Sequence, residues 1–372
     1  MRNLLAIFFL LLFFVACRSK YVKDDTPAAG NDYAHGFSIT DSSVYTKLTV
    51  FSPWESAGDI RFNYYLVPES YAGQPFKGAI RIPVRKVICL STSHVAFVSA
   101  LGEAGKICGV SGVQYISDSI VRERIEKDEI HDVGYDQSMN YELIVKLHPD
   151  VVFAYGVGSE VTGFLNRLKD LGIPVVLDAE YLEQTPLGKA EWIRFIAAFF
   201  DEENKGDSIF KAVEENYTAL KAKVADCKQR PVVMTGMPYK DQWWVPGGRA
   251  YLAAMIKDAG ATYLWRDNTS EESFVVSPEQ MIVQGEKADF WIHTGFVNSL
   301  EGVAGFDGRF TSFPPYRNGK VYNNDLRMSP GGGNDFWESG VVHPDLILID
   351  LISIFHPEIA GEHSLYYYRK LK

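Results

Sequence analysis

The sequence predicts an α/β protein of two related lobes joined by a long helical connector, with a ligand cleft between them. Three observations predict it. The first is a device used twice: Asn140-Tyr-Glu142-Leu-Ile-Val-Lys-Leu-His-Pro-Asp150-Val-Val-Phe and Ser277-Pro-Glu279-Gln-Met-Ile-Val-Gln-Gly-Glu-Lys-Ala-Asp289-Phe-Trp-Ile. Each copy sets a glutamate at the start of a short amphipathic helix and leads through an aspartate into an apolar strand. The second is the alternation of short apolar runs with helical patterns, which argues for parallel sheets covered on both faces. The third is Asp207 to Val224, where Phe210, Val213, Tyr217, Leu220 and Val224 fall on one stripe of a helix about 27 Å long.

The chain opens with Met1-Arg2-Asn3 and an apolar run from Leu4 to Val15, followed by Ala16-Cys17. A run of that length is well short of the ~20 residues that span a bilayer core, so residues 1–17 read as a signal peptide. Cys17, directly after the apolar run and a small residue, resembles the acylated cysteine of bacterial lipoproteins, although Phe14 stands where leucine is expected. The alternative is an ordinary signal peptide with an incidental cysteine. Residues 18–32 are polar and form a tether reaching ~20 Å as a coil. In 33–80, Val44 to Phe51 and Ile60 to Val67 are β-rich runs that predict a hairpin-like extension.

Residues 81–185 form the first lobe, with strands at Lys86 to Leu90, Ile107 to Val110, Val151 to Ala154 and Val175 to Leu177. Residues 186–228 form the connector: helices at Pro186 to Ala198 and Asp207 to Val224, with a polar break at Asp201 to Gly206. The second lobe, 229–372, has strands at Pro231 to Thr235, Gln242 to Val245, Phe290 to His293 and Lys320 to Tyr322, and a closing helix from Pro344 to Phe355.

A formal charge of −10 speaks against nucleic-acid or anionic-membrane binding. Cys89 and Cys108 lie in apolar strand-like runs and read as buried free thiols rather than a disulfide, and no metal-ligand spacing joins them. The chain carries no Gly-x-Ser-x-Gly elbow, Walker loop or His-Glu-x-x-His helix, which weighs against an exported α/β enzyme. Pro246-Gly-Gly-Arg249 and Pro330-Gly-Gly-Gly-Asn334 read as turns before they read as anion nests.

Ligands of α/β sheets sit at the carboxyl ends of the strands. Those ends carry Thr92, Ser93, His94 and Tyr155 in the first lobe, and Tyr239, His293, Arg327 and Trp337 in the second. Trp243 and Trp244 are neighbours on one strand, so one points into the lobe and Trp244 or its partner toward the cleft. Aromatic and small polar groups in this mixture suit a flat, partly apolar ligand with a polar rim. His94 and His293 would face each other across the cleft. Axial ligation of an iron or cobalt centre and a hydrogen bond to ligand or backbone are the two roles open to them.

From about Val84 to Glu358 the order of elements resembles the vitamin B12 and iron-siderophore class of substrate-binding proteins of ABC importers. The resemblance rests on Val87-Ile-Cys-Leu-Ser-Thr-Ser-His94, Ala100-Leu-Gly102, Lys106-Ile-Cys-Gly-Val-Ser111, Asn140-Tyr-Glu142, Leu147-His-Pro-Asp150, Leu171-Gly-Ile-Pro-Val, Trp244-Val-Pro-Gly-Gly, Asp258-Ala-Gly260 and His356-Pro-Glu358. It implies Rossmann-like lobes and a monomer that hands its ligand to a permease dimer with its ATPase. Glu142 and Glu279 would dock into permease arginines, with helix N-terminal placement as the plainer explanation of either one. The ligand implied is an iron complex, a siderophore or a haem-like tetrapyrrole, with a corrinoid as the alternative. No cofactor of the protein's own is implied, since iron or cobalt would enter only within the ligand. The extension resembles that of lipoproteins from Bacteroides-like bacteria, anchored to an envelope membrane and facing the periplasm or exterior.

Overall fold

The computed structural model describes residues 27–372 apart from 72, 74–76, 136–137, 157, 159–160 and 241. The signal core, Cys17 and most of the tether lie outside the described residues. The extension is larger than a hairpin: β1 (Phe37–Asp41), β2 (Thr46–Phe51), β3 (Arg61–Pro68) and β4 (Ala79–Ile82) form a four-stranded sheet in that order. The first three strands are antiparallel, and β4 adds parallel to β3. The two outer strands carry weaker alternation, which is why the β-rich runs alone showed only the central pair.

In the first lobe, β5 (Val87–Cys89), α1 (Thr92–Ala100), β6 (Ile107–Val110), α2 (Ser119–Glu126), β7 (His131–Asp132), α3 (Tyr141–Leu147), β8 (Val151–Ala154), α4 (Val161–Asp170) and β9 (Val175–Leu177) alternate along the chain. The strands form one all-parallel sheet in the order β7-β6-β5-β8-β9. Val87 to Cys89 and Val151 to Ala154 are buried throughout, as a parallel sheet covered on both faces requires.

The connector is α5 (Pro186–Ala197) followed by α6 (Glu203–Lys223). The break is shorter than the polarity of residues 201–206 suggests. Asp201 takes a left-handed conformation (φ 61°) that ends the first segment, and the second starts two residues later. Gly206 explains the difference, because a Cβ there would lie 2.6 Å from the Ala197 methyl; the glycine is needed for the close crossing of two helices. Phe210, Val213 and Tyr217 form the buried stripe.

The second lobe contains β10 (Val232–Thr235), β11 (Trp243–Val245), α7 (Tyr251–Asp258), β12 (Thr262–Tyr263), β13 (Phe274–Val276), α8 (Pro278–Gly285), β14 (Phe290–Ile292), α9 (Leu300–Phe306), α10 (Pro314–Arg317), β15 (Val321–Asn323), α11 (Pro344–Phe355), α12 (Pro357–Ala360) and β16 (Arg369–Lys370). Its main sheet runs β12-β10-β14-β15-β16, with only β16 antiparallel. The Gln242 to Val245 run does not join that sheet. Instead β11 pairs with β13 as a separate antiparallel ribbon, a partner too far along the chain to be read from local pattern.

The repeated aspartates have a structural task. Asp150 accepts the Arg85 and Lys86 amides at 2.7 and 2.9 Å while its own amide bonds the Lys86 carbonyl. Asp289 does the same with Val232 at 2.8 and 2.7 Å. Each fastens the start of the central strands in its lobe.

One apolar core is continuous from Phe37 and Leu48 of the extension through Val87 and Phe97, Trp192 and Phe210 of the connector, to Val233 and Ile352 of the second lobe. Wide hinging would expose part of this core at ~25 cal/mol per Å², so the lobes are held close to one arrangement. Buried carboxylates pin the ends of the chain to it. Glu191 accepts the amides of Asp32, Tyr33 and Ala34, and Glu183 those of His35 and Gly36. Asp350, wholly buried in α11, accepts the amides of Tyr366, Tyr367 and Tyr368 and contacts His363.

Candidate functional site

The loop after β6 touches the loop after β15 at Gln114 and Tyr115, and a cavity lined by residues of both loops lies beside the contact. Several of the aromatics expected at the site are half-exposed, although Trp244 lies within the separate β11–β13 ribbon rather than at the end of a main-sheet strand. Tyr155 in the first lobe is 43% exposed; Tyr239, Trp244 and Trp337 in the second are 58, 50 and 53% exposed. Trp243 is fully buried, with its indole N–H donated to the Thr235 carbonyl, so the neighbouring pair splits between core and surface. Tyr115, Tyr135 and Phe296 are also exposed at strand ends. Sequence reading did not single out these three, which lie in the loops that follow β6, β7 and β14.

The two histidines differ: His94 is turned into the core, whereas His293 stands just beyond β14 and is partly exposed. Ser91 caps α1 through the Ser93 amide and Thr92 is partly exposed, but Ser93 and His94 are buried under the helix. The His94 ring is 1% exposed and stands 3.9 Å from Asp178, and burial lowers its pKa to about 3, so it is a neutral core residue that offers no ring nitrogen to a ligand. His293 sits at φ 58° with its Nε2 2.5 Å from the Tyr368 hydroxyl and its ring against Phe336, Trp337 and Tyr368. Burial lowers its pKa to about 3 as well. Its second-lobe position is at the cleft edge, but its bonding nitrogen is already engaged. Asp178 is buried beside His94, and desolvation together with Glu180 raises its pKa well above the usual carboxylate range.

Arg327 is exposed, with Nε 2.6 Å from Asp335 and its guanidinium over the Tyr366 ring. Its loop carries the contact between lobes. Glu338, 2% exposed, accepts the amides of Ser117 and Asp118 at the start of α2, at 2.8 and 2.7 Å. The Ser329 hydroxyl donates to the Gln114 carbonyl at 2.8 Å. Pro330 to Asn334 is therefore a lobe-to-lobe clasp rather than an anion cradle: the backbones of Gly331 and Gly333 lie directly on Gln114 and Tyr115. Nothing local in the sequence marks Glu338, because its partners lie more than two hundred residues earlier.

Burial raises the Glu338 pKa to about 7, outweighing the two amide donors that lower it. The folded protein thus holds this proton more tightly than the unfolded chain. The resulting contribution to stability is fully present below the ordinary value of about 4.5 and is lost as pH rises through about 7. Relative to Glu338→Gln, the parent should gain up to about 3 kcal/mol of stability between pH 8 and pH 5. Paired thermal melts across that range measure it, and a pH-independent difference between the two chains would contradict the assignment.

Glu142 and Glu279 are both exposed in the first turn of their helices. Neither is the cap. Asn140 accepts the Leu143 amide in α3, and Ser277 with Gln280 forms a capping box in α8. Two residues along, Ile144 and Met281 occupy equivalent places and are both fully buried, so the two glutamates project from helices anchored alike. Cys89, Cys108 and Cys227 are free thiols. Among the described residues no cluster of His, Cys, Asp and Glu could hold a metal ion, and no helix is long and apolar enough to cross a membrane.

Residues 87–325 match the model of a family described as periplasmic binding protein. An uncharacterized lipoprotein of Methanocaldococcus jannaschii is 28% identical over 309 residues, covering 80% of this chain and 71% of its own. A vitamin B12-binding protein of Salmonella typhi is 34% identical over 173 residues, 44% of this chain and 62% of its own. Among solved structures, a periplasmic heme-binding protein from Pseudomonas aeruginosa superimposes with a TM-score of 0.59 at 16% identity, over 78% of this chain and 98% of that one; the likeness is one of fold.

Proposed function

The chain belongs to the periplasmic binding protein family, and from that premise we propose that it is a lipid-anchored substrate-binding protein that delivers an iron complex, a siderophore or a haem-like tetrapyrrole, to an ABC importer. The observation that carries this reading is that each lobe exposes large aromatics, Tyr155 just after β8 in the first and Tyr239, Trp244 and Trp337 in the second. Aromatic faces bind flat apolar ligands with little loss of side-chain entropy. Burial holds His94 and His293 on the neutral side, and the His293 ring lies against Phe336, Trp337 and Tyr368. A corrinoid in the same cleft is the second reading, favoured by the likeness to a vitamin B12-binding protein in nearly half of the chain.

Attachment through an acylated Cys17 follows from the lipoprotein-like start and accords with a relative named a lipoprotein. The tether then ends where Glu191 and Glu183 grip residues 32–36, so the body hangs from a fixed point on the connector. One fractionation tests both parts. Isolated from its own host, the protein should sediment with membranes and show the visible absorption of a bound metal complex, and Cys17→Ser should move it to the soluble fraction with its fold intact. Membrane retention of the cleaved variant would overturn the anchor.

A further inference from the structure

The extension precedes residues 87–325, which match the family, so its sheet has no task that the family defines. Alternation along the strands gives this sheet two faces. Leu48 and Val50 of β2, Tyr64 and Leu66 of β3, and Ile80 and Ile82 of β4 point into the core. The opposite face carries Lys47, Arg61 and Arg81; both arginines are exposed and the lysine is half-buried. Thr49 and Val67 are covered on that face, whereas Thr40, Phe51, Asn63 and Tyr65 stand at least partly open.

In a chain of formal charge −10, this outward face holds three cations and, among its strand positions, no anion. Asp41 falls on the inward side, where it accepts the Thr46 hydroxyl, and Glu69, just past β3, is paired with Arg85. Glu55 and Asp59 belong to the β2–β3 loop, which turns inward: Trp54 and Ala57 pack in one cluster with Ile88 and Val133 of the first lobe. Among the described residues Lys47, Arg61 and Arg81 make no ion pair. Arg61 lies over the Phe51 ring at 5.3 Å.

The tether reaches the sheet next to this face. The Gly36 carbonyl accepts the Phe51 amide at 2.8 Å, and Phe51 is paired with Arg61, so the chain enters β1 beside two outward residues. A tether of ~20 Å leaves the face within two or three screening lengths of the headgroups, each ~8 to 10 Å at physiological salt. Lysine and arginine are drawn to an anionic leaflet, and tyrosine sits well at its interface.

We propose that the outward face of the β1–β4 sheet lies against the anionic headgroups of the membrane that holds Cys17, through Lys47, Arg61 and Arg81. The contact rests on the lipid anchor proposed above. Three cations do not hold a chain of this net charge to a membrane unaided, but a short tether raises the effective concentration of the two surfaces to about the millimolar range. The body then has one resting orientation on the membrane.

The test uses the full lipoprotein in vesicles of phosphatidylcholine alone and of phosphatidylcholine mixed with phosphatidylglycerol. A photoreactive benzoylphenylalanine replaces Thr40, which is exposed and paired with Lys47. Lipid adducts at this position should be about fivefold or more abundant in the mixed vesicles. About 1 M salt should remove the excess. So should the combined variant Lys47→Glu, Arg61→Glu and Arg81→Glu, and the salt arm decides alone if that variant fails to fold. Flotation of the parent chain with both vesicles reports the anchor separately. A chain that floats with both and gives equal lipid adducts in both, or that crosslinks to a second copy of itself rather than to lipid, would overturn the proposal and leave the anchor standing. A chain that floats with neither overturns anchor and proposal together.

Discussion

Charge reversal at both Glu142 and Glu279 is expected to abolish uptake in cells while ligand affinity in the purified protein stays within about twofold of the parent. The two carboxylates stand exposed on helices that are already capped by Asn140 and Ser277. Removing them therefore costs the fold little; helix-dipole effects at this position are about 0.3 to 1 kcal/mol. At an interface the balance differs, because close desolvated charge pairs couple by ~1.5 kcal/mol or more and like charges repel. Two reversed sites should weaken docking by more than a hundredfold. If each lobe docks through its own glutamate, each single variant should show an intermediate defect. Radiolabelled uptake beside equilibrium binding separates the two effects, and normal uptake by the double variant would reduce both residues to favourable helix-end charges.

Gly333→Ala is expected to be among the most damaging single substitutions outside the apolar core. A Cβ at this position would lie 1.8 Å from the Tyr115 carbonyl oxygen, which is backbone and cannot turn aside. The clasp must open. That separates Ser329 from Gln114 and pulls the buried Glu338 carboxylate away from its two amides. Losing these hydrogen bonds costs about 1 to 3 kcal/mol. The melting temperature should fall by several degrees and the radius of gyration should rise as the lobes part. Gly305→Ala supplies the control: it lies within α9 with no atom within 4 Å of the new Cβ, so it should be neutral or slightly stabilising. A Gly333→Ala chain as stable and compact as the control would show that the lobes are not held at this seam.

The architecture was legible where local pattern sufficed. Val87 to Cys89 and Val151 to Ala154 are uniformly apolar and Pro344 to Phe355 mostly so, and each stands as its pattern indicates. The α6 stripe and the split of Trp243 from Trp244 follow from periodicity alone. What was not legible depends on pairing at long range. The sequence has no local sign that β11 leaves the main sheet for β13, or that β1 and β4 extend the hairpin. Buried carboxylates were hidden for the same reason: nothing local marks Glu338, Glu191 or Asp350, whose amide donors lie from sixteen to more than two hundred residues away. His94 misled because a strand-end rule gives position along the chain but not the direction of a side chain, and here α1 begins at Thr92 and turns the ring inward. The paired Glu142 and Glu279 were the most informative sign, because repetition in two halves is visible without any structure.

Fluorescence titration of the full chain with hemin, cyanocobalamin and a ferric catecholate tests the central claim most directly, that a metal complex or tetrapyrrole lies against the exposed aromatics between the lobes. Trp244 is half exposed and Trp243 is buried, so absorption by the ligand should quench Trp244 preferentially. At least one of the three compounds should give saturable quenching. Trp244→Phe should remove most of that signal with little loss of stability, whereas Trp243→Phe should keep the signal and lower stability by up to a few kcal/mol through lost core volume. Absence of quenching by all three compounds, or quenching that survives Trp244→Phe undiminished, would contradict the account.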